Sequence, residues 1–138
     1  MTLRFAREED CAAIAGIYNH AVLNTAAIWN DQTVDAENRL AWFVARRQAG
    51  FPVLVSEEDG QVTGYASFGD WRAFDGFRHT VEHSVYVHPE HQGKGLGRLL
   101  LSQLIEEARR IGKHVMVAGI ESQNHASLHL HRQLGFTI

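Results

Sequence analysis

Cysteine is nearly missing: Cys11 is the only one in 138 residues. An intrachain disulfide is impossible, and nothing demands an oxidising compartment. No apolar run approaches the ~20 residues of a membrane-spanning helix, and no secretory signal opens the chain. A cytoplasmic protein without a membrane partner is expected. Basic charge is short as well. Thirteen Lys and Arg face sixteen Asp and Glu, a formal net charge of −3, which argues against a nucleic-acid surface. The pairs Arg46-Arg47 and Arg109-Arg110 sit in helical patterns and read as solvated faces. Proline is scarce, and there is no repeat, low-complexity segment or Pro/Ser-rich linker. Residues 1–138 therefore read as one domain, long enough for a single core.

Patterning supplies the elements. Leu3 and Phe5 alternate with polar neighbours over residues 2–6, which predicts a strand. Glu8, Glu9 and Asp10 supply the acidic first turn that a helix favours. Ile14, Ile17, Tyr18, Ala21 and Val22 then follow at helical spacing. Residues 24–32 break the pattern and read as a loop. A second helix is predicted from Thr33, as N-cap, to Gly50, as C-cap. Residues 51–56 and 61–68 read as a hairpin across the turn Glu58-Asp59-Gly60. A loop over 69–78 carries Trp71, Phe74 and Phe77. Residues 79–88 are a strand stopped by Pro89. Leu96, Leu99, Leu100, Leu104, Ala108 and Ile111 mark a strong helix that stops at Gly112. A strand over 114–120, a short helix over 124–134 and a last extended segment from Phe136 complete the order β-α-α-β-β-β-α-β-α-β. Hairpins followed by strand–helix–strand crossovers predict an α/β (α+β) fold, a mixed sheet with helices on both faces.

The most informative local feature is Gln92-Gly93-Lys94-Gly95-Leu96-Gly97. Three glycines in five residues stand between a strand and the strongest helix. Glycine allows a sharp turn and close approach of a ligand to the amides. The helix adds unpaired N–H groups and the positive end of its dipole. Together these bind phosphate-type anions, with Lys94 and Arg98 beside them. No Lys-Ser or Lys-Thr follows, so the loop is not a P-loop; its G-x-G-x-G spacing is not the dinucleotide fingerprint G-x-G-x-x-G either.

Gln92-x-x-Gly95-x-Gly97 resembles the [Arg/Gln]-x-x-Gly-x-[Gly/Ala] signature of the GNAT superfamily of N-acetyltransferases. It follows Val85-Tyr86-Val87-His88-Pro89-Glu90, as that signature does. The stretch Asn124-x-x-Ser127-x-x-Leu130-His131-x-x-Leu134-Gly135-Phe136 looks like the superfamily's final helix. The resemblance covers essentially the whole chain. Within the superfamily the chain is most similar to phosphinothricin and methionine sulfoximine acetyltransferases, through Ile17-Tyr18-Asn19-His20, Thr80-Val81-Glu82-His83-Ser84-Val85-Tyr86-Val87 and Leu128-His129-Leu130-His131.

That resemblance implies acetyl-CoA as donor and the α-amine of a small amino-acid analogue as acceptor. It implies Glu82 as the base, acting directly or through water. It implies the backbone of Val85, Tyr86 and Val87 as the seat of the pantetheine arm, with one N–H polarising the acetyl carbonyl. Gln92, Gly93, Lys94, Gly95, Leu96, Gly97 and Arg98 would hold the diphosphate. Asn124 would contact the cofactor, or serve as an ordinary N-cap. His131 stands where many members carry a tyrosine acid; a histidine can protonate a thiolate if charged, or only hydrogen-bond if neutral. For the acceptor's carboxylate, arginine is the best-shaped partner. Arg72 and Arg78, in the loop with Phe74, Asp75, Gly76 and Phe77, are the candidates, and Trp29 falls where the superfamily lines its acceptor site.

Nine histidines raise a metal reading. His125 and His129 share a helical face but lack a third ligand, and His79 and His83 lie ~13 Å apart on a strand, so no metal is expected. One rival is a module that binds acyl-CoA without transferring. Another is transfer to a polyamine or a protein N-terminus. A polyamine site would want several carboxylates, whereas the loop 71–78 has two arginines and one acid, Asp75. Family members normally continue past the final helix with two more strands, so the C-terminal strands are expected to be missing here. Homodimerisation is implied by the resemblance alone.

Overall fold

Asp59 and Gly60 set the pairing beside the first hairpin turn, and a bulge between Ser56 and Glu57 shifts it by one residue further on. Both turn residues take positive φ, 52° and 78°, the conformation that a two-residue hairpin loop requires. They join β2 (Val53–Glu58) to β3 (Gln61–Asp70) with Glu58 opposite Gln61. These elements come from a computed structural model, which describes residues 1–24, 32–72, 74–120 and 122–137.

β1 (Thr2–Phe5) pairs antiparallel with β2, and β4 (Thr80–Val87) antiparallel with β3. β5 (Val115–Val117) runs parallel to β4. The five strands lie in the order β1-β2-β3-β4-β5. The helices are α1 (Cys11–Asn24), α2 (Ala36–Gln48), α3 (Leu96–Arg110) and α4 (His125–Gln133). The mixed sheet with helices on both faces is thus the architecture expected from the patterning.

Each face carries its own core, as period-two alternation requires. On one, Val53, Val55 and Tyr65 pack against Ile14, Ile17 and Phe43 of α1 and α2. On the other, Leu54, Ala66, Phe68 and Val81 pack against Leu100, Leu104 and Ala108 of α3. Gly64 lets α3 close on the sheet: a Cβ there would meet Leu100 Cδ1 and Ser56 Oγ at 3.0 Å. Arg4 fastens the entry to α1. Its guanidinium donates to both carboxylate oxygens of buried Asp10, at 2.8 and 3.0 Å, and to Glu57 at 2.6 Å.

Three boundaries differ from the sequence expectation. The N-cap of α2 is Asp35, not Thr33; its carboxylate accepts from the Asn38 N–H at 2.7 Å. The strand predicted over 114–120 keeps only Val115–Val117, because β4 and β5 part company after the pair Glu82–Val117. No strand forms at Phe136. Its N–H donates to the His131 carbonyl, and its ring packs 5.7 Å from the His83 ring and 5.0 Å from that of His131.

Candidate active site

The separation of β4 from β5 makes the site. His79 O accepts from the N–H of Val115, and His88 N–H donates to Thr63 O on β3. Strand alternation between these anchors turns the N–H and C=O of His83, Val85 and Val87 toward the β5 side. Beyond Val117 no strand among the described residues meets them. A cavity of about 430 Å³ opens there, lined by His83–Val87, by 118–120 beyond β5, and by Asn124, Ser127, Leu130 and His131 of the α4 segment. Gln92, Gly93 and Gly97 line its other end, and His20 reaches it from α1. Gln92 Nε2 donates to the Val87 carbonyl at 3.3 Å and pins the loop to the strand end.

The α3 terminus is shaped for an anion. Gly93 and Gly95 both take left-handed φ, 80° and 79°, and a Cβ at either would meet nothing within 4 Å. Gly95 is the N-cap and offers no side chain to the helix. The first ladder bond runs from the Leu99 N–H to Gly95 O. The amides of Leu96, Gly97 and Arg98 therefore come before the ladder begins, at the positive end of the helix dipole. These residues fit a diphosphate. Leu96 is buried, with its side chain turned into the core. Among the charged neighbours, Arg98 donates to Gln133 at 3.1 Å, while Lys94 lies 4.0 Å from Glu58 and 3.4 Å from His91. Asn124 caps α4 by accepting from the Ser127 N–H at 3.2 Å and also lines the cavity; the two alternatives in the sequence are compatible.

His83 and His131 close the wall. Both are buried, with Nε2 atoms 3.0 Å apart. Each ring turns its Nδ1 to a carbonyl, His83 to Val117 at 3.2 Å and His131 to Ser127 at 2.7 Å. Burial, then the neighbouring His131, pushes the His83 pKa down to about 4, although the Val117 bond opposes this.

Glu82 occupies the other side of β4. Alternation puts Glu82, Ser84 and Tyr86 on the α1/α2 face and His83, Val85 and Val87 on the α3 face. Glu82 is exposed, opposite Gly69, and is not among the residues lining the cavity. Its field reaches Arg46, whose pKa falls through burial and then through repulsion by Arg39, against the pull of Asp70, Tyr65 and Glu82. Around these arginines lie Tyr18, Trp42, Tyr65 and Tyr86. The Arg39 guanidinium carbon lies 4.9 Å from the ring centroids of both Tyr18 and Trp42. The two faces thus separate a carboxylate from a pair of imidazoles, with the unpaired edge of β4 between them.

The acceptor residues expected from sequence are less gathered. Phe74, Asp75, Gly76, Phe77 and Arg78 are exposed, and Arg72 lies against its neighbour Trp71, 3.8 Å from the ring centroid. Arg78 donates to Asp75 O at 3.1 Å. None of the six lines the cavity between β4 and β5. Trp29 lies outside the described residues. Sequence reasoning missed His83 as a partner of His131, and His20 at the cavity. The period-two offset of His83 from Glu82 was a usable signal that the two face opposite ways. Nothing local announces that His83 meets a residue 48 positions later.

Comparison with known proteins agrees with this geometry. The acetyltransferase (GNAT) family model matches residues 4–136. The chain is 81% identical over 138 residues to the L-amino acid N-acyltransferase MnaT of Escherichia coli (strain K12), covering 100% of this chain and 80% of that protein. It is 78% identical over 138 residues to the L-methionine sulfoximine/L-methionine sulfone acetyltransferase of Salmonella typhimurium, covering 100% and 81%. Among solved structures, yncA from Salmonella typhimurium with its cofactor acetyl-CoA superposes with a TM-score of 0.98 at 78% identity, over 99% of this chain and 79% of that one. With a family model matching nearly all of it and relatives this similar, the chain belongs to the acetyltransferase (GNAT) family.

Proposed function

We propose that this chain transfers the acetyl group of acetyl-CoA to the α-amine of a small amino acid or analogue, of the class of methionine sulfoximine, methionine sulfone or phosphinothricin. The observation that carries the reading is the cavity where β4 leaves β5 after Glu82 and Val117, with the α3 amides at its far end. A diphosphate held on Gly93–Arg98 and an extended arm along the free edge of Val85 and Val87 would bring a thioester toward Glu82. The donor names of similar proteins support acetyl-CoA, and their acceptor names support a small L-amino acid.

Each chemical demand has a candidate on this chain. The amine must lose a proton before it attacks, and exposed Glu82 accepts it directly or through one water. The attack forms the C–N bond and places charge on the carbonyl oxygen, which the Val85 or Val87 N–H stabilises. The C–S bond then breaks, its electron pair stays on sulfur, and His131 supplies the proton that makes the thiol. Holding both reactants beside one strand edge supplies the proximity term. For the acceptor's carboxylate, Arg72 and Arg78 are carried as candidates from the loop 71–78.

The test is thiol release from acetyl-CoA across a panel of methionine sulfone, methionine sulfoximine, phosphinothricin and a polyamine. Release accelerated by the amino-acid analogues and not by the polyamine is the expected result. Tight CoA binding with no amine-dependent release would overturn the transfer reading in favour of an acyl-CoA sensor.

A further inference from the structure

The contacts of His83 and His131 constrain how many hydrogens their rings can hold. There are four ring nitrogens and four contacts: His83 Nδ1 to Val117 O, Nε2 to Nε2, His131 Nδ1 to Ser127 O at 2.7 Å, and the same Nδ1 to the Ser127 hydroxyl at 3.4 Å, which can accept a share of an Nδ1–H already aimed at Ser127 O. A carbonyl only accepts, so both Nδ1 atoms must carry hydrogen to bond there. The Nε2–Nε2 contact needs one further hydrogen. Two neutral imidazoles hold two ring hydrogens, one too few; some nitrogen lone pair must then face an oxygen or another lone pair. Two imidazoliums hold four, one too many, and set two N–H groups and two charges against each other at 3.0 Å. Three hydrogens, and therefore one positive charge, satisfy every contact.

We propose that His83 and His131 form a two-imidazole unit that stores a single proton between their Nε2 atoms, with His83 acting as the positioning residue that keeps His131 loaded as the acid for the departing thiolate. The acid role rests on the transfer reading above; the shared proton does not. His131 carries the charge, donating through Nδ1 to Ser127 O and through Nε2 to His83. His83 stays neutral as the Nδ1–H form, accepting at Nε2, in keeping with its lowered pKa. When the C–S bond breaks, the proton moves from His131 Nε2 to sulfur, and thiol and a neutral unit result. The neutral unit has one contact unsatisfied, which draws a proton back from solvent. The proton removed from the attacking amine leaves by way of Glu82 on the other face, so the cycle closes without any further reagent.

The surroundings limit the unit to one charge, since burial disfavours a second imidazolium beside the first. β5 presents the Val117 carbonyl, β3 sets Phe68 opposite His83, and Phe136 covers both rings. The titratable or charged groups on packed elements are His20 of α1, Asp70 of β3, Arg98, Glu106, Glu107, Arg109 and Arg110 of α3, and His125, His129 and Arg132 of α4; Glu106 and Glu107 are paired with Arg109 and Arg110. On β4 itself Glu82 points to the opposite face. Among the described residues lining the cavity there is no carboxylate, so the stored charge rests on the Ser127 oxygens and on His83 Nε2. The sequence motif does not predict this pairing, which depends on Phe136 and α4 closing over β4.

Long-range proton–nitrogen correlation spectra of the histidine side chains, taken near neutral pH on the whole protein, test the stored proton directly. Protonated Nδ1 on both rings, with one exchange-averaged proton across the two Nε2 atoms, is expected. A bare Nδ1 on either ring overturns the proposal, whatever the activity. The positioning role is read from the pH profile of kcat. His131 must be charged to act, so activity falls as pH rises and the unit loses its proton. Removing the acceptor in His83→Phe weakens the hold on that proton, and the alkaline limb moves about one unit toward acid, a tenfold change in proton affinity. His83→Gln, whose amide can accept at Oε1 and donate to Val117 O, restores the limb. The change should appear in kcat and not in KM for acetyl-CoA. An unmoved limb in His83→Phe removes His83 from the mechanism. Failure of transfer with every amine would instead discard the acid role and leave the spectral result standing.

Discussion

Substituting Gly97 by Asp should move two observables in opposite directions. Gly97 sits at the second position of α3, and an ideal Cβ there meets Leu130 Cδ2 at 3.6 Å and Val87 Cγ2 at 3.9 Å. These are ordinary contacts, so a Cβ is accommodated, at a position that lines the cavity. In the free protein a carboxylate at a helix N-terminus is favourable by about 0.3–1 kcal/mol. Replacing glycine within a helix adds a gain of similar size. A shift of about 1 kcal/mol corresponds to about 2–4 °C in Tm for a chain of this size. The free variant should therefore melt at or slightly above the parent temperature. With a diphosphate bound, the new carboxylate stands close to its charge. Two unit charges about 4 Å apart repel by about 1 kcal/mol in water and about 4 kcal/mol at a protein surface. That range corresponds to a Kd for CoA weaker by about fivefold to a thousandfold. Titration calorimetry gives the Kd and a thermal melt gives the stability. Gly97→Ala is the control: it adds the contact without the charge and should bind CoA within about threefold of the parent. Part of the loss should disappear at high salt, because exposed charges are screened beyond ~10 Å at 0.1 M. An Asp variant that binds CoA as tightly as the parent would place the anion somewhere other than this helix terminus, and the active-site reading would fail with it.

Glu82→Gln keeps the shape of the side chain and removes the base; kcat should fall by about 10²–10⁴-fold while CoA binding by calorimetry stays near the parent value, and unchanged kcat would remove Glu82 from the mechanism. Asp10→Asn leaves the guanidinium of Arg4 without its buried partner and should cost about 3 kcal/mol, read as a lower urea midpoint. Burial pushes the Asp10 pKa up, but bonds from Arg4 and the Arg7 amide more than offset it, and the carboxyl lies below its ordinary value. Its stabilising contribution is thus complete above about pH 4 and is lost as pH falls through the folded value; an Asn variant should show a flatter acid-side stability curve, and an identical curve would contradict the assignment. Gly64→Ala forces a Cβ to 3.0 Å from Leu100 Cδ1 and Ser56 Oγ and should destabilise by about 1–3 kcal/mol, with a neutral result showing that α3 can shift.

What was legible in the sequence was what local chemistry decides. The Asp59-Gly60 turn joins β2 to β3 because its backbone geometry is written in those two residues, although the bulge between Ser56 and Glu57 that shifts the later pairs is not. The apolar stripe of α3 and the glycines before it locate an anion site because both are contiguous. The α2 cap went to Asp35 instead of Thr33 because either side chain could cap, and the choice depends on which neighbour turns extended. What stayed hidden depends on elements meeting across distance. Glu82 and His83 are adjacent in sequence, yet the pleat sends one to the arginines of α2 and the other to His131 of α4. The strand at 114–120 was read too long because apolar residues continue, whereas pairing stops where β4 and β5 diverge. That divergence has no residue signature of its own: residues 118–120 remain small or apolar whether they pair or line a cleft. A motif can therefore suggest an anion site at Gly93–Gly97, while the cleft that leads from it along β4 follows only from the splay. The same geometry would let the proposed base, Glu82, and the proposed acid, His131, serve one transfer without neutralising each other, since the strand whose N–H groups face the cleft keeps them on opposite faces.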